Sequence, residues 1–198
     1  YHLIGKNAEL LIDHAWGYET CRMSDIKNYH SEEHSLSNGQ VLMRNYSFEE
    51  ALVNVREMTD NLVLHLLEKG LVTSTLTLWI AYDHRYEHEA SKGTVKLERE
   101  SNSSKKIIDA VEDLYLRIAD RYTGIRRIEV CANRVAPESY VQYSLFDDPK
   151  QTDKERHLQE AVLNVKQRYG KNAIMRGSNL LECSTYRERN EQIGGHRA

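Results

Sequence analysis

Two amphipathic stretches at helical spacing, separated by alternating segments, constrain the fold more than any other feature of this chain. The first begins at Ser47, an N-cap followed three residues later by Glu50, and ends at Gly70. The second runs from about Ser104 to Tyr122. The apolar stripes are Phe48, Leu52, Val55, Met58, Leu62 and Leu66 in the first, and Ile107, Ile108, Val111, Leu114, Tyr115 and Ile118 in the second. Each stripe predicts a helix with one buried face.

Four strand-like segments flank these helices, at His34–Arg44, Val72–Tyr82, Gly93–Glu100 and Ile125–Val135. The resulting order is strand, helix, strand, strand, helix, strand. This order predicts an α+β fold with a split βαββαβ arrangement, in which one four-stranded sheet carries both helices on one face. The other face is open, which is typical of a binding surface or a dimer surface on a domain of this size.

The side-chain parity of two strands adds finer predictions. In the first segment Leu36 is even whereas Val41 and Met43 are odd, so we expect a bulge at Asn38–Gly39. In the second segment the alternation places Leu76, Leu78, Ile80 and Tyr82 inward and Thr73, Thr75, Thr77 and Trp79 outward. An outward tryptophan is more often covered by a neighbouring segment, such as the C-terminal tail, than left free to stack.

Composition allows one to two domains and excludes several classes of protein. The 198 residues are 40% hydrophobic and begin without Met, so we expect a fragment of a longer protein. No apolar run approaches membrane-spanning length. The three cysteines, Cys21, Cys131 and Cys183, are too far apart for a zinc site and fit a reducing, cytoplasmic location.

The net charge of −3 is not typical of a DNA-binding protein, but its distribution is uneven. The two predicted helices carry Glu49, Glu50, Glu57, Asp60, Glu68, Asp109, Glu112, Asp113 and Asp120. The strands and their ends carry Arg44, Lys92, Lys96, Arg99, Arg126, Arg127 and Arg134. One face is therefore expected to be basic and the other acidic.

The segments that flank the sheet are mostly helical. Residues 5–16 predict a short helix that ends at Gly17, and residues 18–33 a linker with a possible helical turn near Ser24–Ile26. Asp153–Tyr169 predicts a helix with a thin apolar side, which must pack on the sheet domain, on a preceding part of the protein or on another copy. The predicted segments are therefore 1–33, 34–136, 137–151 and a helical C-terminal tail, 152–198.

A short peptide, Gln142-Tyr143-Ser144-Leu145-Phe146, follows the last predicted strand. Its amide can donate and accept hydrogen bonds at the rim of a pocket, while Leu145 and Phe146 fill the pocket as apolar anchors. It resembles the bacterial sliding-clamp-binding motif, with Tyr143 in place of the usual first leucine. The alternative is a loop that buries Leu145 and Phe146 in its own domain.

Other chemical sites have weaker support in the sequence. His84 and His88 lie four residues apart with Glu87 and Glu89 nearby, but between two strands a solvated loop is favoured over a metal site. No phosphate-binding glycine loop and no nucleophilic triad is present in the sequence. An RNA-recognition domain is disfavoured, since the outward strand positions are Thr, Lys and Glu and not the aromatic pair that stacks on bases.

The order of motifs resembles the C-terminal part of a bacterial Y-family (translesion) DNA polymerase, and is most similar to the SOS-mutagenesis and UV-damage-repair branch. The residues that carry the resemblance are Trp16–Glu19, Asp25–Tyr29, His34–Leu42, Gln142–Phe146 and Arg189–His196. The resemblance implies a thumb remnant, a little-finger domain and a clamp-tethering tail.

In that family the open sheet holds template-primer phosphates, which suits an enzyme that must accept any damaged template. The resemblance implies DNA contacts from His34, Ser35, Ser37, Gly39, Thr75, Thr77, Lys96, Arg127 and Asn133. It implies clamp contacts from Gln142, Tyr143, Leu145 and Phe146. The catalytic carboxylates and the two Mg²⁺ ions of the family belong to the palm, so this chain alone is expected to lack a cofactor and not to polymerise DNA.

A second hypothesis belongs to a different class of protein. The chain would be a ferredoxin-like interaction module without DNA binding, forming a homodimer through its open sheet or its C-terminal helix. Light scattering together with a DNA mobility-shift assay separates the two hypotheses, because only one predicts a DNA complex and only the other requires self-association.

Overall fold

The structure is a computed structural model that describes residues 5, 7–19, 21–28, 35–83, 85, 88–139, 148–193 and 196–197. The chain divides into two compact units, Tyr1–Glu33 and His34–Ala198. The first unit contains α1 (Asn7–Ala15) and α2 (Met23–Asn28). The short helix predicted within 5–16 is thus confirmed, and the possible turn near Ser24–Ile26 is a helix of six residues.

The second unit contains the four-stranded sheet and its helices. Its elements are β1 (Ser35–Tyr46), α3 (Phe48–Glu68), β2 (Leu71–Tyr82), β3 (Ser91–Ser101), α4 (Ser104–Ile118), β4 (Ile125–Pro137), α5 (Pro149–Tyr169), a 3₁₀ helix (Gly177–Leu180), α6 (Tyr186–Asn190), β5 (Gln192–Ile193) and β6 (His196–Arg197). The order in the large sheet is β1-β4-β2-β3, and each neighbouring pair is antiparallel. The predicted α+β class is confirmed.

One apolar core lies between the sheet and the pair α3 and α4. Alternate residues of the strands, such as Leu78 and Ile128, are fully buried against Met58 of α3 and Val111 of α4. The two central strands contribute most of this face because β2 and β4 are covered along their length. Both helices, α3 and α4, therefore bury their predicted apolar stripes against the sheet, as amphipathic helices in a layered fold must.

Local chemistry fixes where α3 begins and how closely α4 approaches the sheet. The N–H of Glu50 donates to Ser47 Oγ at 3.3 Å, and the N–H of Ser47 donates to Glu50 Oε2 at 2.9 Å, so the predicted capping box is present. The α4–β3 contact is so close that a Cβ at Gly93 would lie 2.8 Å from Leu114 Cδ1. Only glycine leaves room for α4 at that position.

The predicted bulge at Asn38–Gly39 is wrong. The β1–β4 register runs without interruption from Ser35 to Val41, and the irregularity lies between Val41 and Tyr46. The apolar parity misled because polar residues occupy core-facing positions: Asn38 Nδ2 donates to the carbonyl of Met58 at 3.1 Å. Val41 and Met43 are instead exposed, at 59% and 68%.

The predicted outward position of Thr73 is also wrong. Thr73 is fully buried, and its hydroxyl donates to the carbonyl of Asn133 at 2.6 Å. The β2–β3 register shifts between Thr73 and Thr75, so the simple alternation fails at that point. A hydroxyl with a backbone acceptor can be buried without an unsatisfied polar group.

The helix α5 begins at Pro149, inside the predicted 137–151 linker and before the predicted start at Asp153. The carboxylate of Asp148 accepts from the N–H of Lys150 at 3.0 Å, and proline suits the first turn of a helix. Of the three partners that its thin apolar side allowed, the structure shows α3 of the same unit. Among the helices of the described residues, none is long and apolar enough to cross a bilayer.

Candidate functional site

The open face of the sheet is built from rows of side chains that cross all four strands. The first row joins Ser35 of β1, Asn133 of β4, Thr75 of β2 and Lys96 of β3, which are direct neighbours in the antiparallel register. Side chains opposite each other in a sheet are close enough to interact. Four residues that are distant in sequence therefore form one polar line.

The second row joins Ser37, Cys131, Thr77 and Thr94. Its hydroxyls are linked to one another and to the first row, since Thr77 Oγ1 lies 3.0 Å from Thr94 Oγ1 and accepts from Asn133 Nδ2 at 2.8 Å. Hydrogen bonds of this kind fix the orientation of short side chains. The middle of the face is thus an ordered hydroxyl and amide network.

The third row joins Gly39, Glu129, Trp79 and Lys92. The guanidinium of Arg127 stacks 5.0 Å from the centre of the Trp79 ring, and Arg127 Nη2 lies 3.4 Å from Glu129 Oε2. One face of Trp79 is therefore covered by Arg127 of the neighbouring strand. Glu129 places a negative charge in the same row.

Only some of the basic side chains predicted for the sheet are available to a ligand on this open face. Arg44 forms a two-pronged pair with Glu50, at 3.0 and 2.6 Å, and Arg126 donates to the carbonyl of Leu42. These two guanidinium groups already donate to acceptors within the domain, so they are less available to a ligand. Lys92 and Lys96 are exposed on β3, so the positive charge of the open face is concentrated at that edge.

Burial shifts the acid–base behaviour of one side chain in the second row. It raises the pKa of the Cys131 thiol, and the nearby charge of Glu129 acts in the same direction. Cys131 Sγ donates to Asn133 Oδ1 at 3.2 Å. A neutral thiol is a poor nucleophile, so Cys131 serves the polar network and is not suited to covalent chemistry.

The structure brings eight of the nine predicted DNA-contact positions onto the one open face: Ser35, Ser37, Gly39, Thr75, Thr77, Lys96, Arg127 and Asn133. The ninth, His34, lies outside the described residues. Their role in DNA binding stays a prediction. The clamp-contact residues Gln142, Tyr143, Leu145 and Phe146 also lie outside the described residues.

Sequence reasoning left five members of the rows out of the site: Trp79, Lys92, Thr94, Glu129 and Cys131. For Trp79, Thr94, Glu129 and Cys131 the signal was present, because the strand alternation already placed them on the outward side, whereas Lys92 lay just before the predicted third strand. What the sequence did not supply was the register, which decides which outward residues are neighbours. The position of Glu129 beside Arg127 matters most, since it lowers the positive potential there.

Of the histidine pair considered as a metal site, the structure describes only His88. His84 lies outside the described residues, while His88 Nε2 lies 3.2 Å from Asp120 Oδ2 and the His88 ring packs 4.2 Å from the ring of Tyr82. No group of three or more His, Cys, Asp or Glu residues among the described residues is arranged to hold a metal ion.

Two curated relatives match most of this chain. DNA polymerase IV 2 of Bacillus subtilis (strain 168) is 25% identical over 164 residues, which is 82% of this chain and 39% of the relative. DNA polymerase IV 2 of Halalkalibacterium halodurans is 22% identical over 168 residues, covering 84% of this chain and 40% of the relative. The chain spans about two fifths of the length of these relatives.

Two solved structures are similar at low identity. One, a complex of the beta-clamp processivity factor and the little finger domain of PolIV, has a TM-score of 0.41 at 10% identity, covering 58% of this chain and 100% of that one. The other, a Y-family DNA polymerase chimera, has a TM-score of 0.40 at 14% identity, covering 67% of this chain and 36% of that one.

A family match identifies the sheet domain and its following segment. Residues 33–145 match the model described as the impB/mucB/samB family C-terminal domain. This range contains the whole four-stranded sheet, both core helices and the first four residues of the peptide, Gln142–Leu145. Because the match covers more than half of the chain, the protein belongs to the impB/mucB/samB family, and the resemblance of its sequence to the C-terminal part of a Y-family polymerase is confirmed.

Proposed function

We propose that this chain is the DNA-holding C-terminal region of an error-prone translesion DNA polymerase that acts in the cytoplasmic DNA-damage (SOS) response. Its open sheet face lies along the backbone of primer-template DNA, and its Gln142–Phe146 peptide tethers the enzyme to a sliding clamp. The observation that carries the DNA part is the set of three polar rows, which presents hydroxyl, amide and lysine donors on the face of the sheet opposite to α3 and α4.

The chemistry of the rows suits phosphate better than bases. Short hydroxyls and the bare backbone at Gly39 allow a close approach, and Lys96 supplies charge at the end of the first row. Contacts to phosphate carry no sequence information, so they do not depend on which base is damaged. The ring on the three rows, Trp79, has one face covered by Arg127.

The DNA proposal is tested with fluorescence anisotropy on a labelled primer-template at several salt concentrations. Lys96→Ala is expected to weaken binding at every sequence and to reduce the salt slope by about one unit, since one phosphate contact is lost. Arg117→Ala, which removes an exposed arginine of α4 on the helix side, is the matched control and should leave binding unchanged. Equal effects of both variants would overturn the proposed face.

Glu129 gives a second test with the opposite sign. Its carboxylate competes with phosphate for Arg127, at 3.4 Å. Glu129→Gln is therefore expected to strengthen DNA binding and to steepen its salt dependence, because Arg127 becomes available to the backbone. Weaker binding by this variant would mean that Glu129 positions Arg127 rather than competes for it, and would contradict this part of the proposal.

The clamp proposal rests on the peptide itself and on its place between the end of β4 and the start of α5. Replacing Leu145 and Phe146 with alanine should abolish binding to a bacterial sliding clamp in surface plasmon resonance, because both apolar anchors are lost. Tyr122→Ala removes an aromatic side chain that is 96% exposed on the sheet domain and should bind the clamp normally. Retained clamp binding by the double variant would refute the tether.

The polymerase chemistry is proposed for the whole enzyme and not for this chain by itself. The family's metal-binding carboxylates belong to its palm, which supplies the two Mg²⁺ ions of nucleotidyl transfer. A primer-extension assay with Mg²⁺ is expected to show no product for this chain and product for the full-length enzyme. Extension by the chain alone would require a different catalytic centre and would overturn this assignment.

A further inference from the structure

An open cavity of about 440 Å³ lies between α3 and α5, on the helix side of the sheet. Its middle is lined by apolar side chains from three elements: Val63, Leu64, Leu158, Val162, Ile174 and Met175. Well-packed proteins rarely leave apolar side chains facing a space of this size. The cavity is far from the open sheet face, so its role is independent of the proposed DNA contact.

Polar contacts near one end of α5 keep the cavity from collapsing. Glu155 Oε1 accepts from Ser103 Oγ at 2.8 Å and from the N–H of Lys105 at 2.9 Å. Arg156 pairs with Glu138 through two bonds, at 2.6 and 3.0 Å. These contacts hold α5 against the start of α4 and the end of β4.

A second set of polar contacts lies near the other end of α5. Gln167 Nε2 donates to Glu68 Oε1 at 3.1 Å, and Lys166 Nζ donates to the hydroxyl of Tyr186 at 2.5 Å. A helix fixed at both ends cannot move inward to close the gap at its centre. The cavity is therefore preformed, as ligand sites usually are.

The charged side chains around the cavity differ in the strength of the hydrogen bonds and ion pairs that they already make. Asp60 accepts from Arg176 Nη2 at 2.6 Å, and Lys166 also donates to the carbonyls of Lys171 and Ile174. Near the start of α5, by contrast, Lys154 is exposed, and Lys105 pairs with the exposed Asp109 at 2.7 Å and lies close enough to the Glu155 carboxylate to feel its charge. A surface pair of that kind is weak. The available positive charge is thus at this one end.

We propose that the cavity binds a small amphipathic organic anion, with its apolar body between α3 and α5 and its carboxylate or sulfonate between Lys105 and Lys154. The volume lies within the range of about 300–1,000 Å³ that is typical of small-molecule sites. It holds roughly fifteen water-sized groups, at about 30 Å³ each, which leaves room for a ten-carbon carboxylate. An apolar body fits the lining, and a single anionic end fits the uneven charge.

The first experiment measures binding of decanoate to the intact chain by isothermal titration calorimetry, with 1-decanol as the neutral probe of equal length. Saturable binding of decanoate, at least about tenfold tighter than that of decanol, is expected if the lysines hold the anionic end. No saturable binding of decanoate would overturn the site. Equal affinities for the two probes would overturn the assignment of an anionic ligand.

Two pairs of variants locate the site. Lys154→Glu should weaken decanoate binding at least tenfold, whereas Lys150→Glu, on the same helix but outside the lining, should not. Val162→Phe should block binding by filling the centre, whereas Ala161→Phe, an exposed neighbour that does not line the cavity, should not. Thermal unfolding followed by circular dichroism confirms that each variant is folded. If the lining variants bind as their controls do, the proposal fails.

Discussion

The sheet and α5 are both attached to α3, but different forces attach them. Between α3 and the sheet, side chains such as Met58, Leu78 and Ile128 are fully buried in a closed apolar core. The contacts that hold the two ends of α5 are polar, to the start of α4 and the end of β4 at one end and to α3 and α6 at the other, and an open apolar cavity lies between α3 and α5. The first attachment depends on burial, and the second depends on a few hydrogen bonds.

This difference teaches how one domain can be both rigid and adaptable. Burial of apolar area is cooperative and fixes the strand register, which in turn fixes the rows of the open face. A helix held by polar contacts can be released without exposing the core. We therefore expect the sheet domain to resist changes that loosen α5, and the following variants test that separation in order of effect.

The largest effect is expected in the closed core. Leu78→Ala removes a fully buried side chain and leaves a cavity, so the free energy of unfolding should fall by about 2–5 kcal/mol. Urea denaturation followed by circular dichroism measures the change. Met43→Ala, at 68% exposure on the open face, is the control and should change stability by less than about 0.5 kcal/mol. A similar loss in both variants would contradict the proposed division.

An intermediate effect is expected where polar contacts hold α5. Arg156→Ala leaves Glu138 without its two charged donors, so stability should fall by about 1–3 kcal/mol. Hydrogen–deuterium exchange should quicken along α5 while β2 and β4 remain protected. Lys154→Ala, which removes an exposed lysine of the same helix, serves as the control. Loss of protection in the central strands would show that the two attachments are coupled.

A smaller effect concerns the buried carboxyl group of Glu57, which faces the guanidinium of Arg189. Burial raises the pKa of Glu57, and the opposing effects of Ser184 and Arg189 are smaller. The native state therefore binds the proton more tightly than the unfolded state, whose glutamate pKa is about 4.3. The stabilisation is complete below that pH and is lost as pH rises through the native pKa.

Glu57→Gln should remove this dependence. From about pH 4.5 upward, the stability of the wild type is expected to decline relative to the variant, by at most about 1.4 kcal/mol per pH unit for one proton. Urea denaturation at a series of pH values measures the difference. Glu100→Gln, at an exposed position of β3, should follow the wild-type curve. Parallel curves for wild type and Glu57→Gln would exclude Glu57 as the titrating group.

The smallest effect is expected from filling the cavity. Val162→Phe adds volume where space exists, so stability should change by less than about 0.5 kcal/mol. Ala132→Leu adds three carbons, against four for Val162→Phe, but Ala132 lies fully buried on β4, where overpacking should cost about 1–3 kcal/mol. Thermal melts of the two variants compare them directly. A large loss for Val162→Phe would mean that the space between α3 and α5 closes in solution.

The same division explains how much could be predicted from sequence. Ser47 and Glu50 are local signals, and they placed the start of α3 correctly. The strict alternation of β3 and β4 placed Lys96 and Asn133 on the open face. The periodicity of apolar residues shows which side chains are buried. The helices and strands that depend on apolar burial could therefore be predicted from the sequence.

Features that depend on specific polar partners could not be predicted from the sequence. Asn38 occupies a core-facing position because its amide reaches the carbonyl of Met58, and nothing in the strand pattern indicates that acceptor. The placement of α5 depends on Arg156 and Glu138, which are 18 residues apart and outside any repeat. The rows of the open face required the register, which follows from a strand order that parity alone does not determine.

The strand order also has a consequence for how the protein is made. β4 is the last of the four strands to be synthesised, yet it lies between β1 and β2 and is hydrogen-bonded to both. A ribosome adding about 5–20 residues per second needs several seconds to reach β4 after it has completed β1. During that time the two flanking strands have no common neighbour. The four-stranded surface can therefore be completed only in a late step, and a chain that stops short of Ile125 would retain the β2–β3 pair but leave β1 unconnected to it.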